Sequence, residues 1–335
     1  MRFVQRLVYF VYYVKGLDLS KFRRFMAYAS KTSGKGNICL FADSVVSVFR
    51  YNISLMDYFY FRFYLFDNIE RSKWAGTGYM YEFQLKMNPK GVRDVLSDKI
   101  MFLNHFKQFI TRDYSGLDKL KESSDMVDKL LANRSGKLVL KNSMGQIGGE
   151  VEVIRTNGYT SETLLEYMMN HDYDLAEEFV VQHPDLMELS PSGLNTVRII
   201  TQVTGDHVDL LGGRLRISVN SPVDNMAAGN LAASIDLDSG NINGSGVYSD
   251  ITKIQQDIHP VTGKPIKGFA IPYWKEVIYL ARRAAMQTPG NRSVGWDIAI
   301  TPEGPELIEG NHNWCKLLWQ LPVNRGLKQE LEKYL

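Results

Sequence analysis

The chain has 335 residues, long enough for two or three domains, and its 44% hydrophobic and 23% charged content is that of an ordinary globular protein. A formal net charge of +2 is too small to argue for a nucleic-acid partner. Two cysteines, Cys39 and Cys315, cannot build a disulfide framework and fit a reducing compartment; Cys315, just after Asn313 and Trp314, is expected as a small buried residue, with a reactive thiol as the alternative.

In chain order, the first segment is apolar but short. Residues 1–14 have the core of a signal peptide with Arg2 and Arg6, and Ala27 and Ala29 imitate a cleavage site. Lys15, Asp18, Lys21, Arg23 and Arg24 lie between, which a signal peptide does not tolerate. No run reaches membrane-span length. Two readings stay open: a helix packed in the first domain, or one lying on an anionic membrane face. Residues 1–95 read as helical and aromatic, and residues 54–66 are too apolar to be exposed and need a cover. Gly34, Gly36, Gly76 and Gly78 mark loops, and residues 88–91 (NPKG) mark a break. Ser97 or Asp98 caps a helix running through Phe102, Phe106 and Ile110.

From residue 136 the pattern turns to strands. Residues 137–141 alternate, run into a glycine-rich loop at 142–149, and continue as a strand over 150–156. A helix over 161–170 and a strand over 176–181 follow. Later strands are expected over 196–204, 210–219 and 232–236, and an apolar-periodic helix over 273–286. The order is α+β rather than regular βαβ.

The loop at 142–149 has the makings of a phosphate cradle, because glycines let backbone amides approach an anion. It lacks the Walker ending. Lys141, at the end of the preceding strand, either reaches a phosphate under that loop or is a surface lysine. Val197, Ile199 and Thr201 share one strand face and Arg198 takes the other; Arg214 and Arg216 share a face opposite Leu215 and Ile217. Three arginines so spaced suit phosphate or carboxylate recognition, or else face water. The segment 177–182, ending before His183 and Pro184, can offer backbone groups to a purine. No histidine pair has zinc-ligand spacing and no serine sits in a nucleophile elbow.

The tail string GWDIAITPEGPELIEGN at 295–311 reads as two strands around a turn at Pro302, Glu303, Gly304 and Pro305. With a three-residue loop, Pro302 to Gly304, Asp297 falls opposite Glu309, and Asn311 shares the Glu309 face. Magnesium shared with substrate phosphates wants that donor set. An ordinary polar hairpin facing water is the other reading.

These residues occur in an order that resembles the ATP-grasp superfamily: Lys99 before a helix, Lys141 before a glycine loop, a hinge at 178–182, and an acidic terminal hairpin. More narrowly, the strings QHP (182–184), LNTVR (194–198), IHP (258–260) with Gly263, GWDIAIT (295–301) and GPELIEGN (304–311) resemble the sugar-transfer-associated ATP-grasp group, related to teichuronopeptide-type biosynthesis proteins. The likeness covers roughly residues 95–320. It implies an α+β ATP-grasp fold, two α+β lobes gripping ATP. The expected division is a helical aromatic-rich region at 1–95, a catalytic region at 96–320 and a C-terminal helix at 321–335. Within the catalytic region, a glycine-loop lobe is expected at about 130–180 and a metal lobe at about 181–320.

The resemblance also implies roles. Lys99 and Lys141 contact ATP phosphates under a loop containing Gly145, Gly148 and Gly149; Glu178 and Val180 face adenine through their backbone, and Gln182 approaches the ribose. Asp297, Glu309 and Asn311 hold Mg2+, and Arg198, with Arg214 and Arg216 nearby, steadies the transferred phosphate or the substrate. Gln182 departs from the acid many relatives carry, and the paired acids Glu177 and Glu178 leave the hinge register open by one residue. The implied activity is ATP-dependent carboxylate–amine ligation through an acyl phosphate. The substrates would be a uronic acid of a surface polysaccharide or its precursor, such as capsule or O-antigen, and an amino acid or small amine. A sugar kinase and a non-catalytic accessory protein are the rival expectations. The location expected is cytoplasmic, with the N-terminal region docking a glycosyltransferase or the inner membrane face.

Overall fold

The computed structural model describes residues 2–145 and 151–335. Three helices open the chain: α1 (Arg2–Lys15), α2 (Leu19–Ser33) and α3 (Asn37–Tyr51). Asp18 starts α2 by accepting from the Lys21 N–H at 3.0 Å, and Gly34, at φ 71°, ends it in the left-handed conformation that glycine adopts freely. The apolar segment at 54–66 begins with a reciprocal Ser54–Asp57 cap and folds into the Leu55–Tyr60 helix and a 3₁₀ turn. Its cover is α2 and α3: Tyr58, Phe59, Phe61, Phe63 and Tyr64 are buried against Phe22, Phe25, Leu40 and Val48. Each such ring contributes roughly 2 kcal/mol of burial before entropy is subtracted. Arg71 ties this region together, donating to both Asp43 oxygens at 2.8 Å and to the Phe63 carbonyl at 2.9 Å.

The Thr77–Met87 helix stops at Asn88, where the break was expected; Gly78 lies inside that helix rather than in a loop. Asp98 caps the Lys99–His105 helix, which ends at Phe106 and leaves Ile110 outside. The C-terminal segment is not one helix. Leu321–Val323 is a 3₁₀ turn around Pro322, and only Lys328–Glu332 is α-helical. It folds back on the N-terminal region, where the Gln320 amide bonds both Ala75 backbone groups, at 2.9 and 3.0 Å.

Two antiparallel sheets follow. The first holds β1 (Tyr114–Gly116), β2 (Lys137–Lys141), β3 (Val151–Arg155) and β4 (Leu175–Glu178), in the order β1-β4-β2-β3. Leu138, Leu140 and Ala176 face the Ser124–Leu131 and Ser161–Asn170 helices. Lys141 and Glu177 occupy the opposite face as diagonal neighbours, since Val139 pairs with Glu177. The second sheet holds β5 (Val197–Thr204), β6 (His207–Ile217), β7 (Leu231–Ile235), β8 (Ser293–Thr301) and β9 (Gly304–Asn311), in the order β7-β6-β5-β8-β9. Val197, Ile199, Leu215, Trp296 and Ile298 pack on the Trp274–Gln287 helix. The alternate face carries Arg198, Arg214, Arg216, Asp297 and Glu309.

The hinge strand is shorter than expected. β4 ends at Glu178, and residues 179–182 are the crossing from the first sheet to the second, completed when His183 N–H bonds the Ile300 carbonyl of β8 at 2.8 Å.

Candidate nucleotide and metal site

The terminal hairpin reaches its expected register by a different route. Thr301 pairs with Gly304, so the loop has two residues, Pro302 and Glu303. The register then shifts between Asp297 and Ile298, which leaves Ile308 as an extra, bulged residue. The bulge restores what the shorter loop removed, and Asp297 stands directly opposite Glu309. Gly295 makes room beside them. A side chain there would begin 2.8 Å from the Trp314 Cβ and 3.1 Å from the Arg198 Cδ.

Asp297 is buried and held by two arginines. Arg198 donates Nε to one carboxylate oxygen and a terminal nitrogen to the other at 2.6 Å, and Arg216 adds a third contact at 2.6 Å. Burial alone pushes the Asp297 carboxyl up, but the Arg198 and Arg216 charges outweigh it and hold the pKa far below the ordinary carboxylate range. Glu309 is the reverse case. Crowding by surrounding protein and then the Asp297 charge raise its pKa, although 52% of its side chain is open to solvent. Asn311 donates to the Glu309 carboxylate at 2.9 Å. Two carboxylates and an amide are hard donors, and a dication between the two acids would remove their repulsion. Among the described residues no group of three His, Cys, Asp or Glu can hold a metal by itself. Three oxygen donors would fit a magnesium ion that takes its other ligands from phosphate oxygens. Three guanidinium contacts already engage Asp297, so ligation there needs one of them to turn toward the phosphates.

Arg216 also meets Asp224 at 2.7 Å, and Asp224 accepts from Thr196 N–H at 2.8 Å and its hydroxyl at 2.6 Å. Sequence reasoning missed Asp224, which lies in a loop without periodicity. Arg214 does not join this group. Its guanidinium is buried and turned to the Trp319 and Gly213 carbonyls, the latter at 2.6 Å. Burial and the nearby Arg325 charge depress its pKa to about 9. It is a strut under the sheet, and the catalytic role expected for it is not supported by this geometry.

The two lysines converge on the same place. Lys99 Nζ donates to the Asn142, Ser143 and Gly145 carbonyls at 2.8, 3.2 and 2.6 Å, so it holds the start of the glycine-rich loop. Burial and then the Lys141 charge lower its pKa, against the pull of Glu309, Asp174 and Glu177. Lys99 is thus within electrostatic reach of both Lys141 and Glu309, which are far from it in sequence. Asp174 anchors the same loop through Ser143, accepting from its N–H and hydroxyl at 2.6 Å each. Gly148 and Gly149 lie outside the described residues.

Lys141 itself rests on Glu177, at 2.7 Å. Glu177 is 3% exposed and also accepts from Arg112 Nε at 2.7 Å. Arg112 continues to the Leu307 carbonyl at 3.0 Å and to Glu306 at 3.5 Å. Glu306 closes the chain by accepting from the Thr111 N–H and hydroxyl at 3.0 and 2.6 Å. The series Lys141–Glu177–Arg112–Glu306 joins β2 and β4 of the first sheet to β9 of the second. Burial would raise the Glu177 carboxyl, but Lys141 and then Arg112 bring it down to about 2. The sequence contained a signal for this network: alternation puts Glu177 on the face of buried Leu175, and a buried acid needs a cation.

At the crossing, Glu178 N–H is taken by the Asp113 carbonyl at 2.8 Å, whereas Val180 has no backbone hydrogen bond among the described residues. The backbone groups of Val181 and Gln182 share that lack. Gln182 is a correction. It is buried, its carbonyl accepting from the Asn195 N–H and amide at 2.7 and 3.0 Å, so its side chain braces the loop before β5 instead of reaching for a ribose. Cys315 is exposed, not buried. A cleft of about 610 Å³ beside Ile100, Asn104 and Tyr114 is lined in part by Arg112 and Asp174 but not by Lys99, Lys141, Asp297 or Glu309.

A family model for sugar-transfer associated ATP-grasp proteins matches residues 79–334. The chain belongs to that family. The match begins earlier than the likeness in its motifs, taking in all but the first two residues of the Thr77–Met87 helix. The fold of this ATP-grasp protein is accordingly two α+β lobes, preceded by a helical, aromatic-rich N-terminal region. A comparison with curated proteins finds none that matches. Among solved structures it is similar to N5-carboxyaminoimidazole synthase from Aspergillus clavatus, crystallised with ADP and 5-aminoimidazole ribonucleotide (12% identity, TM-score 0.40, 66% of this chain and 45% of that one). It is also similar to D-alanyl-alanine synthetase A from Vibrio cholerae (10%, TM-score 0.41, 72% and 60%). A third is an L-amino acid ligase from Bacillus licheniformis (12%, TM-score 0.40, 72% and 51%). The chain spans about half the length of these relatives, and likeness at this level adds nothing to the family match.

Proposed function

We propose that this protein is an ATP-dependent carboxylate–amine ligase. The observation that carries the reading is that Lys141 is tied through Glu177 and Arg112 to the β9 strand bearing Glu309, while Lys99 holds the loop that follows Lys141. Two cations and two hard anionic donors around one space are what a triphosphate and its metal require. Lys141 would hold phosphate oxygens, joined by Lys99 once it gives up one of its three loop carbonyls, with the Val180 backbone on the purine and Asp297, Glu309 and Asn311 on the magnesium. Bound magnesium would neutralise charge on the transferred phosphate.

The first step joins a substrate carboxylate oxygen to the γ-phosphorus and releases ADP. In the second, an amine nitrogen attacks the acyl carbon, phosphate departs, and the nitrogen gives up a proton. The protein's task is to bring two anions together and cancel their repulsion. Arg198 and Arg216 flank Asp297, and each can exchange part of its hold on that acid for the incoming carboxylate or the transferred phosphate. The sugar-transfer association of the family suggests a uronic acid of a surface polysaccharide or its precursor as the carboxylate, and an amino acid or small amine as the nucleophile. An enzyme acting on such precursors would work in the cytoplasm.

The test is ADP release with ATP, magnesium, a uronic acid panel and an amine pool. Release that needs both a carboxylate and an amine, with an amide in the mass spectrum, supports the proposal. A phosphorylated sugar formed without amine would make the protein a kinase instead, and no magnesium-dependent turnover with any substrate would point to an accessory role.

A further inference from the structure

Helix α1 has two unlike sides. Arg6, Tyr9, Phe10 and Tyr13 turn inward: Arg6 donates to the Phe49 carbonyl, Phe10 packs on Phe49 with ring centres 5.5 Å apart, and Tyr9 meets Tyr81 edge-on at 5.9 Å. The other side is a continuous apolar stripe at helical spacing. Val4, Leu7, Val8, Val11 and Val14 are 64, 47, 62, 47 and 47% exposed, and Tyr12 beside them is 74% exposed. Scattered exposed apolar residues need no explanation, but five on one helix face mark a binding surface.

Charge says what binds there. The first 36 residues hold eight lysines and arginines against one acid, Asp18, while the whole chain nets only +2. Lys15 borders the stripe, and Arg23 and Lys31 on α2 are exposed. The apolar core of a protein interface is usually depleted of charge. An apolar helix face in a segment this rich in basic residues, with Lys15 at its end and an exposed tyrosine, suits the boundary between anionic headgroups and acyl chains, although Glu82 stands near Tyr9 on the inner side. At 14 residues α1 is about 21 Å long, short of a bilayer's hydrocarbon core, and no helix among the described residues is long and apolar enough to cross a membrane.

We propose that α1 lies flat on an anionic phospholipid surface, with Val4, Leu7, Val8, Val11 and Val14 among the acyl chains and the exposed Lys15, Arg23 and Lys31 toward the headgroups. The α1 interface does not depend on the ligase reading. For the family's chemistry it would bring the enzyme to a lipid-linked acceptor.

The experiment is co-sedimentation of the full chain with vesicles of phosphatidylcholine alone or with 30% phosphatidylglycerol. The protein is expected to pellet with the anionic vesicles at least about tenfold more strongly than with neutral ones, and salt should weaken the binding. The double variant V8E/V11E changes only outward positions, so its melting temperature should hold while binding falls about tenfold or more. Ile69→Glu, at an exposed apolar position away from α1, should bind as the native chain does. Three results overturn the proposal: no binding of the native chain to anionic vesicles, unchanged binding of V8E/V11E, or an equal loss with Ile69→Glu. A lipid-free dimer that V8E/V11E dissociates would also overturn it, assigning the stripe to a second copy.

Discussion

Replacing Arg112 with methionine should destabilise the protein more than any surface change near the site. The guanidinium holds Glu177 at 2.7 Å, the Leu307 carbonyl at 3.0 Å and Glu306 at 3.5 Å, all in the interior. Without it Glu177 keeps Lys141 at 2.7 Å, and Glu306 keeps the Thr111 donors at 3.0 and 2.6 Å but loses its cation. Breaking a buried pair costs about 3–5 kcal/mol, and these remaining partners place the loss near the lower end, about 3 kcal/mol. For lobes of this size that is a fall in melting temperature of roughly 6–12 °C. Circular dichroism melts read it directly. A double-mutant cycle with Glu306→Gln should show a coupling of about 1 kcal/mol or more, because both changes act on one network spanning the two sheets. An R112M protein that melts within a degree of the native chain, or a cycle with strictly additive losses, would refute the idea that this chain of charges joins the lobes.

Other consequences are simpler. Gly295→Ala places a methyl group 2.8 Å from the Trp314 Cβ and against Arg198, so it should cost about 1–3 kcal/mol in a denaturant melt, and magnesium-dependent turnover should fall as Arg198 is displaced. Lys141→Met should weaken nucleotide binding about tenfold or more in a fluorescent ADP titration, with Glu177 still held by Arg112. Acid should also act through Glu177. Its folded pKa of about 2 lies below its ordinary 4.5, so its contribution is complete above pH 4.5 and is lost as pH falls toward 2. That loss is roughly 3 kcal/mol in total, so chemical melts should show stability declining below pH 4.5, and a Glu177→Gln protein should lack that component.

Much of the site was legible before the structure. Periodicity alone placed Arg198 opposite the Val197–Ile199–Thr201 face, because one buried face forces alternation, and the structure keeps that arrangement. The Asp297–Glu309 pairing was also visible, although its cause was not: sequence cannot distinguish a three-residue loop from a two-residue loop plus a bulge at Ile308. What stayed hidden depends on direction and distance. Arg214 shares the Arg216 strand face, yet the Trp319 carbonyl draws its guanidinium away from the acids. Gln182 looked free to meet a ligand, but its amide is used on Asn195. Arg112 and Glu306 gave no local pattern, since their partners, Glu177 and Thr111 among them, lie far away in sequence or across the two sheets.

The central claim is that the space between the sheets holds ATP through Lys99, Lys141 and a metal on the terminal hairpin. Calorimetric titration of a non-hydrolysable ATP analogue with and without magnesium tests it most directly. The account predicts one site whose affinity rises with magnesium, with that gain lost in Asp297→Asn and Glu309→Gln while metal-free nucleotide binding remains. A native chain that binds no nucleotide, or variants that retain the full magnesium gain, would contradict it.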